Sequence, residues 1–433
     1  MQKYYKNLHY FQYRLPYFIV DQQIKSMVND TENKFGIESN IMAGLRYGIV
    51  TFKGERAGVL SERANGGTEF VYDPGAPEIA CALPRAQDSH VYKAGVHPAF
   101  AHLAPEGWLR DRQNAVADTE AEDDFGLLLA FGADCIGAIG IEDPEGRVRP
   151  DLLKEFDAET AAIATGHRTI SGVQAKILCQ KDGRAYVPAT KDGPAPYIAK
   201  YARDDLPGLV CNEEFSLGLT RIVLPEDEVV MCERAFVRTI GPAALLVERF
   251  DRVGDEKLRC EDFAQILGHA PGRDRKNKYN VGYGALSEAL EYSDKKLIDA
   301  YRVFKRLVAF VLIGNTDCHL KNWSLYEQDG GLRLSPIYDV LNSYIYGGQG
   351  YSTAFGLLVD GNKVQWDRYD RDLLIRLGGQ LGLTARAIRR SFDEILSTKA
   401  AFEAKIAEDL PLDEGRSYQY RASIRQKWEQ IYG

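Results

Sequence analysis

Near residue 250 the apolar pattern of this chain changes period, and that change constrains its fold more than any other feature. Before it lie short apolar runs cut by turns: Tyr47 to Leu60, broken at Gly48, Gly54 and Gly58, then Phe70-Val71-Tyr72, Ile177-Leu178-Cys179, Ala185-Tyr186-Val187, Tyr197-Ile198-Ala199-Lys200 and Leu245 to Phe250. Runs of this length between glycine-bearing turns read as strands, with Lys181-Asp182-Gly183-Arg184 as a hairpin turn. Helical spacing shows first in Asn212 to Arg221 and then dominates, as in Lys295 to Ile313 and Asp370 to Leu377. Strands first and helices after predict an α+β chain of two lobes, a strand-rich N-terminal lobe with a small-sheet subdomain and an all-helical C-terminal lobe.

The divisions follow from the same pattern. Residues 1–38 form an extension rich in tyrosine (Tyr4, Tyr5, Tyr10, Tyr13, Tyr17), readable as a packed cap or a partner-binding arm. Residues 39–115 are assigned to the small-sheet subdomain, 116–252 to the strand-rich lobe and 253–433 to the helical lobe. Asp124 to Leu129 is expected to be a buried helical piece.

Composition removes several classes of function. The 433 residues are 45% apolar and 27% charged, as in ordinary globular proteins. A net charge of -8 argues against a surface built to grip nucleic acid, so contact with DNA is expected mainly through a partner. Seven cysteines without a C-x-x-C pair make neither a disulfide framework nor a zinc ribbon. Apolar runs such as Leu307 to Ile313 fall far short of a membrane span, and the chain reads as cytoplasmic.

The segment Asn315-Thr316-Asp317-Cys318-His319-Leu320-Lys321-Asn322 carries the chemistry. Phosphoryl transfer needs phosphates held in place, magnesium, and a carboxylate to receive the acceptor hydroxyl's proton; in protein kinases that Asp stands five residues before a metal-binding Asn. Asp317 and Asn322 keep the interval. A second metal-binding carboxylate should follow a short hairpin, and Asp339 does so after the turn Asp329-Gly330-Gly331. Lys321 is suited to neutralise charge on the transferring group, and His319 to hold the loop or touch phosphate. Lys200, ending a strand, is the candidate to pair the ATP phosphates. Upstream, the small-residue turn at Gly172, Val173 and Gln174 has backbone amides able to approach them. Asp124-Phe125-Gly126 spells the metal-binding triplet of ordinary kinases but precedes every other motif, so it is not assigned that role.

With these residues in order, the chain resembles the HipA kinases, the toxin partners of bacterial HipB antitoxins. The resemblance rests on five pieces: the segment 315–322, Leu334-Ser335-Pro336-Ile337-Tyr338-Asp339-Val340-Leu341, Val247-Glu248-Arg249-Phe250-Asp251-Arg252, Ile170-Ser171-Gly172-Val173-Gln174-Ala175-Lys176, and Pro105-Glu106-Gly107-Trp108. It implies a two-lobed protein-kinase-like fold using ATP and Mg2+. Asp317 would be the base, Asn322 and Asp339 the magnesium ligands, Lys200 a phosphate contact, and Glu248 and Phe250 the hinge that receives adenine. It further implies autophosphorylation at Thr169 or Ser171 in the glycine loop, a translation component of the aminoacyl-tRNA synthetase class as protein substrate, and a HipB-like helix-turn-helix antitoxin as partner. The chain departs from the family's usual pattern at Cys318, where glycine is common, and at Ala175, where an acid is common. Two other readings stay open: a non-catalytic kinase-fold partner of a DNA-binding antitoxin, and a small-molecule kinase.

Overall fold

The computed structural model describes residues 44–146, 174–190, 193–238, 240–272 and 275–433. The extension 1–38 and the positions Thr169, Ser171, Gly172 and Val173 lie outside them.

Five strands form the first sheet: β1 (Tyr47–Phe52), β2 (Glu55–Glu62), β3 (Thr68–Tyr72), β4 (Ser89–Tyr92) and β5 (Ile139–Glu142), in the order β4-β3-β2-β1-β5. The β1–β2 hairpin closes over Lys53 and Gly54, both at positive φ, as the two-residue turn matched to strand twist requires. The small sheet therefore does not end at residue 115. Its edge strand β5 arrives only after the helices α1 (Gly107–Ala117) and α2 (Asp124–Phe131), and pairs with β1. Pairing at this distance along the chain leaves no local signal.

Helix α2 is apolar on all sides because two cores claim it. Phe125, Leu128 and Leu129 pack on the first sheet, whereas Leu127, Ala130 and Phe131 join the core of the next layer. The triplet Asp124-Phe125-Gly126 is the first turn of this helix, where the Asp123 side chain caps the Gly126 N–H at 2.8 Å.

The second layer is a closed barrel of β6 (Lys176–Asp182), β7 (Ala185–Pro188), β8 (Tyr197–Lys200), β9 (Cys232–Val237) and β10 (Ile240–Glu248), in the order β10-β8-β6-β7-β9. Helix α3 (Leu209–Val223) runs between β8 and β9. Beyond the barrel come a two-stranded ribbon, β11 (Arg252–Val253) with β12 (Glu256–Lys257), and a three-stranded sheet of β13 (Cys260–Asp262), β14 (Ser324–Gln328) and β15 (Gly331–Leu334). The β14–β15 hairpin turns at Asp329 and Gly330, again both at positive φ. Thus the C-terminal lobe is helical apart from this small sheet and the ribbon.

Its centre is α4 (Lys296–Ile313), buried without interruption from Val303 to Ile313. Against it pack α5 (Arg371–Gln380), α6 (Ala385–Ser397) and α8 (Glu414–Tyr432), while α7 (Lys399–Ala407) lies on α3. Gly314, at φ 82, ends α4 with its N–H on the Phe310 carbonyl. A side chain there would strike Asn342. The helix thus stops abruptly and delivers the chain into Asn315 to Asn322 at the base of the cleft. Among the described residues no helix is long and apolar enough to cross a membrane.

Candidate active site

The cleft between barrel and helical lobe brings most of the sequence-predicted residues together. Lys200, Glu248, Phe250, Gln174, Asp317, His319, Lys321, Asn322 and Asp339 all line it.

Lys200 and Lys176 are opposite each other on β8 and β6, so their side chains share a face. The Lys200 ammonium donates to Asp339 Oδ1 at 2.6 Å and makes a short ion pair with Glu213 of α3. Burial opposes its charge, but Asp339 and Glu213 outweigh burial and raise its pKa. Glu213 is itself only 2% exposed, and burial pushes its carboxyl upward. Reciprocal hydrogen bonds of 2.8 and 3.0 Å join the Asn212 amide to the Asn342 backbone and fix α3 against the segment carrying Asp339.

Asp339 stands at φ 59, an uncommon conformation for a non-glycine residue and of the kind concentrated at functional sites. Burial would raise its carboxyl, but Lys200 and Lys176 lower it, so it is a carboxylate. Lys176, buried beside them, is brought down to about 8 by desolvation.

Across the cleft the 315–322 segment is braced from beneath. Thr316 and the Asp317 N–H bond to the Ser343 hydroxyl, and Asn322 Nδ2 donates to the Asp317 carbonyl at 2.8 Å. Tyr338 reaches back to the Lys321 carbonyl at 2.8 Å. The Asp317 carboxylate points into the cleft, where Oδ1 accepts from the Tyr279 hydroxyl at 2.6 Å. Burial raises its pKa to about 6, the Tyr279 hydrogen bond holding it from rising further. His319 is kept neutral by burial and lies edge-on to the Tyr279 ring, centroids 4.8 Å apart. Lys321 does not stand free in the cleft. Its ammonium donates to the His102 carbonyl at 3.0 Å and lies 3.2 Å from Glu106 and 3.7 Å from Asp262.

Ile136, Ile198, Val230 and Val247 give the cleft apolar walls, with Phe250 against Tyr326 and Tyr338. Arg249 and Asp251, beside Glu248 and Phe250, form a buried staple. Arg249 donates twice to Asp251, which also accepts from Arg252 and from the Gly137 N–H at 2.7 Å. Gln174 donates to the Tyr201 carbonyl.

Sequence reasoning missed Glu213, Lys278 and Tyr279, and quoted Lys176 and Glu106 without giving either a role. Glu213 had a signal: it falls on the same face of α3 as Leu209, Ser216, Leu217 and Thr220, an acid among buried positions. Tyr279 had none. Its three-residue turn, Asn277–Tyr279, has no periodicity to read.

The fit to magnesium turns on the donors available. Asp339 and Asn322 offer hard oxygens, and among the described residues no three His, Cys, Asp or Glu side chains converge into a metal cage. That suits a cation completed by phosphate oxygens and water.

Two family descriptions match the chain: the HipA N-terminal domain over residues 48–142 and the HipA-like C-terminal domain over residues 168–402. Y4dM of Sinorhizobium fredii is 29% identical over 69% of this chain and 77% of its own length. The serine/threonine-protein kinase toxin HipA of Shewanella oneidensis is 24% identical over 51% of this chain and 57% of its own. A solved complex of HipA, HipB and operator DNA from Shewanella oneidensis contains a chain of the same fold. Its TM-score is 0.67 at 20% identity, covering 88% of this chain and 97% of that one.

Proposed function

The chain belongs to the HipA family, and from that premise we propose that it is an ATP-dependent serine/threonine kinase. The observation that carries the reading is the Lys200 ammonium seated between Glu213 and Asp339 in the same cleft that Asp317 lines. A lysine so held is pre-placed for phosphates, because the two acids keep its ammonium charged and fixed in the cleft before the phosphates arrive.

In this reading the apolar part of the cleft takes adenine, with Glu248 and Phe250 at its edge. Lys200 orients the phosphates, Lys176 adds a second cation beside it, and the backbone amides of Gly172, Val173 and Gln174 would contribute donors to them. Asp339 and Asn322 would hold magnesium, which neutralises phosphate charge when it enters with ATP. Asp317 accepts the proton of the acceptor hydroxyl as that oxygen bonds to the γ-phosphorus; the bond to the β-phosphate oxygen breaks and ADP leaves. Lys321, His319 and Tyr279 surround the base and fix its position.

The acceptors we propose are a serine or threonine of a translation component, of the aminoacyl-tRNA synthetase class, and Thr169 or Ser171 of the chain itself. A phosphate on that loop brings up to about two negative charges beside those of ATP, which repel it from the cleft. We further propose a HipB-like helix-turn-helix antitoxin as partner, through which the chain, with its net charge of -8, would reach operator DNA.

Purified full chain incubated with labelled ATP, magnesium and cell lysate tests the reading. Label on serine or threonine, in the chain or in a lysate protein, should disappear with Asp317→Ala. Transfer that is absent, or equal in the variant, sinks the assignment.

A further inference from the structure

Pro105-Glu106-Gly107-Trp108 belongs to the N-terminal domain, which supplies no reacting group in the scheme above. Yet Glu106 reaches the wall of the cleft and is 3% exposed. Three cations converge on it: Lys278 Nζ at 2.7 Å, Lys321 Nζ at 3.2 Å and Arg275 Nε at 3.8 Å. Burial would raise its carboxyl, but these cations lower it well below the usual range, so it is ionised. An ionised carboxylate this deep is tolerable only where its partners are held in place, and they hold it in return.

Two of those partners lead to the same residue. Lys278 is followed in its turn by Tyr279, whose hydroxyl donates to Asp317 Oδ1 at 2.6 Å. Lys321 precedes Asn322, whose amide donates to the Asp317 backbone carbonyl at 2.8 Å. One arm thus fixes the Asp317 side chain and the other its backbone, and Glu106 is their common anchor. Neighbouring bonds run the same way. His102 Nε2 meets the His269 carbonyl at 2.7 Å, and Arg275 donates to the Ala101 carbonyl at 2.8 Å and to Asp124.

We propose that Glu106 is a positioning residue for Asp317, fixing the proton-accepting carboxylate from the N-terminal domain through two arms, so that phosphoryl transfer depends on the docking of that domain. This rests on the kinase reading. The ion pairs described for Glu106 go to Lys278, Lys321 and Arg275, whereas those of Lys200 go to Glu213 and Asp339. The inference therefore separates the rate of transfer from the binding of nucleotide.

The test uses the full chain with Mg-ATP and measures label transfer at saturating ATP, ATP affinity by calorimetry and thermal melting. Glu106→Gln should slow transfer about 10- to 100-fold, as losses of partners that orient a reacting group do. ATP affinity should stay within about threefold of wild type. Adding Tyr279→Phe should cost no more than the worse single change, because both act through Asp317. Should Glu106→Gln melt early, Glu106→Gln with Lys278→Met removes one of the three stranded cations and should recover part of the melting temperature without restoring the rate. A Glu106→Gln chain that transfers phosphate like wild type while Asp317→Ala is dead overturns the inference and leaves the kinase reading intact. So does a rate loss matched by an equal loss of ATP affinity. If wild type and Asp317→Ala are alike inactive, the kinase reading falls and the inference falls with it.

Discussion

The Tyr279 hydroxyl and the Asp317 carboxylate share a 2.6 Å hydrogen bond, and that bond is the group's main defence against the burial that pushes its pKa to about 6. A base must be ionised to accept a proton, so the kcat/KM profile should fall on the acid side with a midpoint near pH 6. Tyr279→Phe removes the bond and should move that limb to higher pH. A limb unchanged in the variant contradicts the role given to the hydroxyl.

The same shift has a consequence for stability. A carboxyl whose folded pKa is raised binds protons more readily folded than unfolded, so its ionised form weakens the fold above pH 6 and the penalty fades as pH falls toward 4. Asp317→Asn keeps the shape without the charge. It should stabilise the chain by about 1–2 kcal/mol at pH 8, discounted for partial solvent access, and by nothing near pH 4. Urea titrations at the two pH values decide this.

Lys200 lies between two acids, Glu213 and Asp339. Lys200→Met leaves both without their cation and should cost about 3–5 kcal/mol in denaturant unfolding, together with most of the ATP affinity. Adding Glu213→Gln removes one stranded charge and should recover part of the stability but none of the ATP binding. Recovery of both in calorimetry would mean that Lys200 serves only the fold.

Asp251 accepts four hydrogen bonds, from Arg249 twice, Arg252 and Gly137, and these lower its carboxyl despite burial. A depressed carboxyl contributes stability above the pH at which the unfolded group titrates, and loses it as pH falls through the folded value. Asp251→Asn should cost about 3–5 kcal/mol at pH 7. At pH 3 the gap to wild type should narrow. A gap of equal size at both pH values would show that shape, not charge, holds the staple.

Much of the molecule was legible because its signals are local. The turns at Lys181 to Arg184 and Asp329 to Gly331 lie where a chain reversal needs glycine or aspartate, and each joins two strands. The helices at 296–313 and 371–380 follow from spacing within one segment. Asp317, His319, Lys321 and Asn322 sit within six consecutive residues, so wherever the loop went they went together. The contribution of β5 to the first sheet was not legible, since its partner β1 lies far back in the chain.

By itself, then, the sequence determined the strand-then-helix order, the turns and a loop dense in phosphoryl-transfer residue types. Tertiary structure alone decided which charges face one another: Glu213 and Asp339 on Lys200, Glu106 on Lys278 and Lys321, Tyr279 on Asp317. The reason is physical. Secondary structure follows from backbone and side-chain preferences a few residues apart. The strength of a charge contact depends on separation and on how much water remains between the groups, and neither is set until distant segments pack.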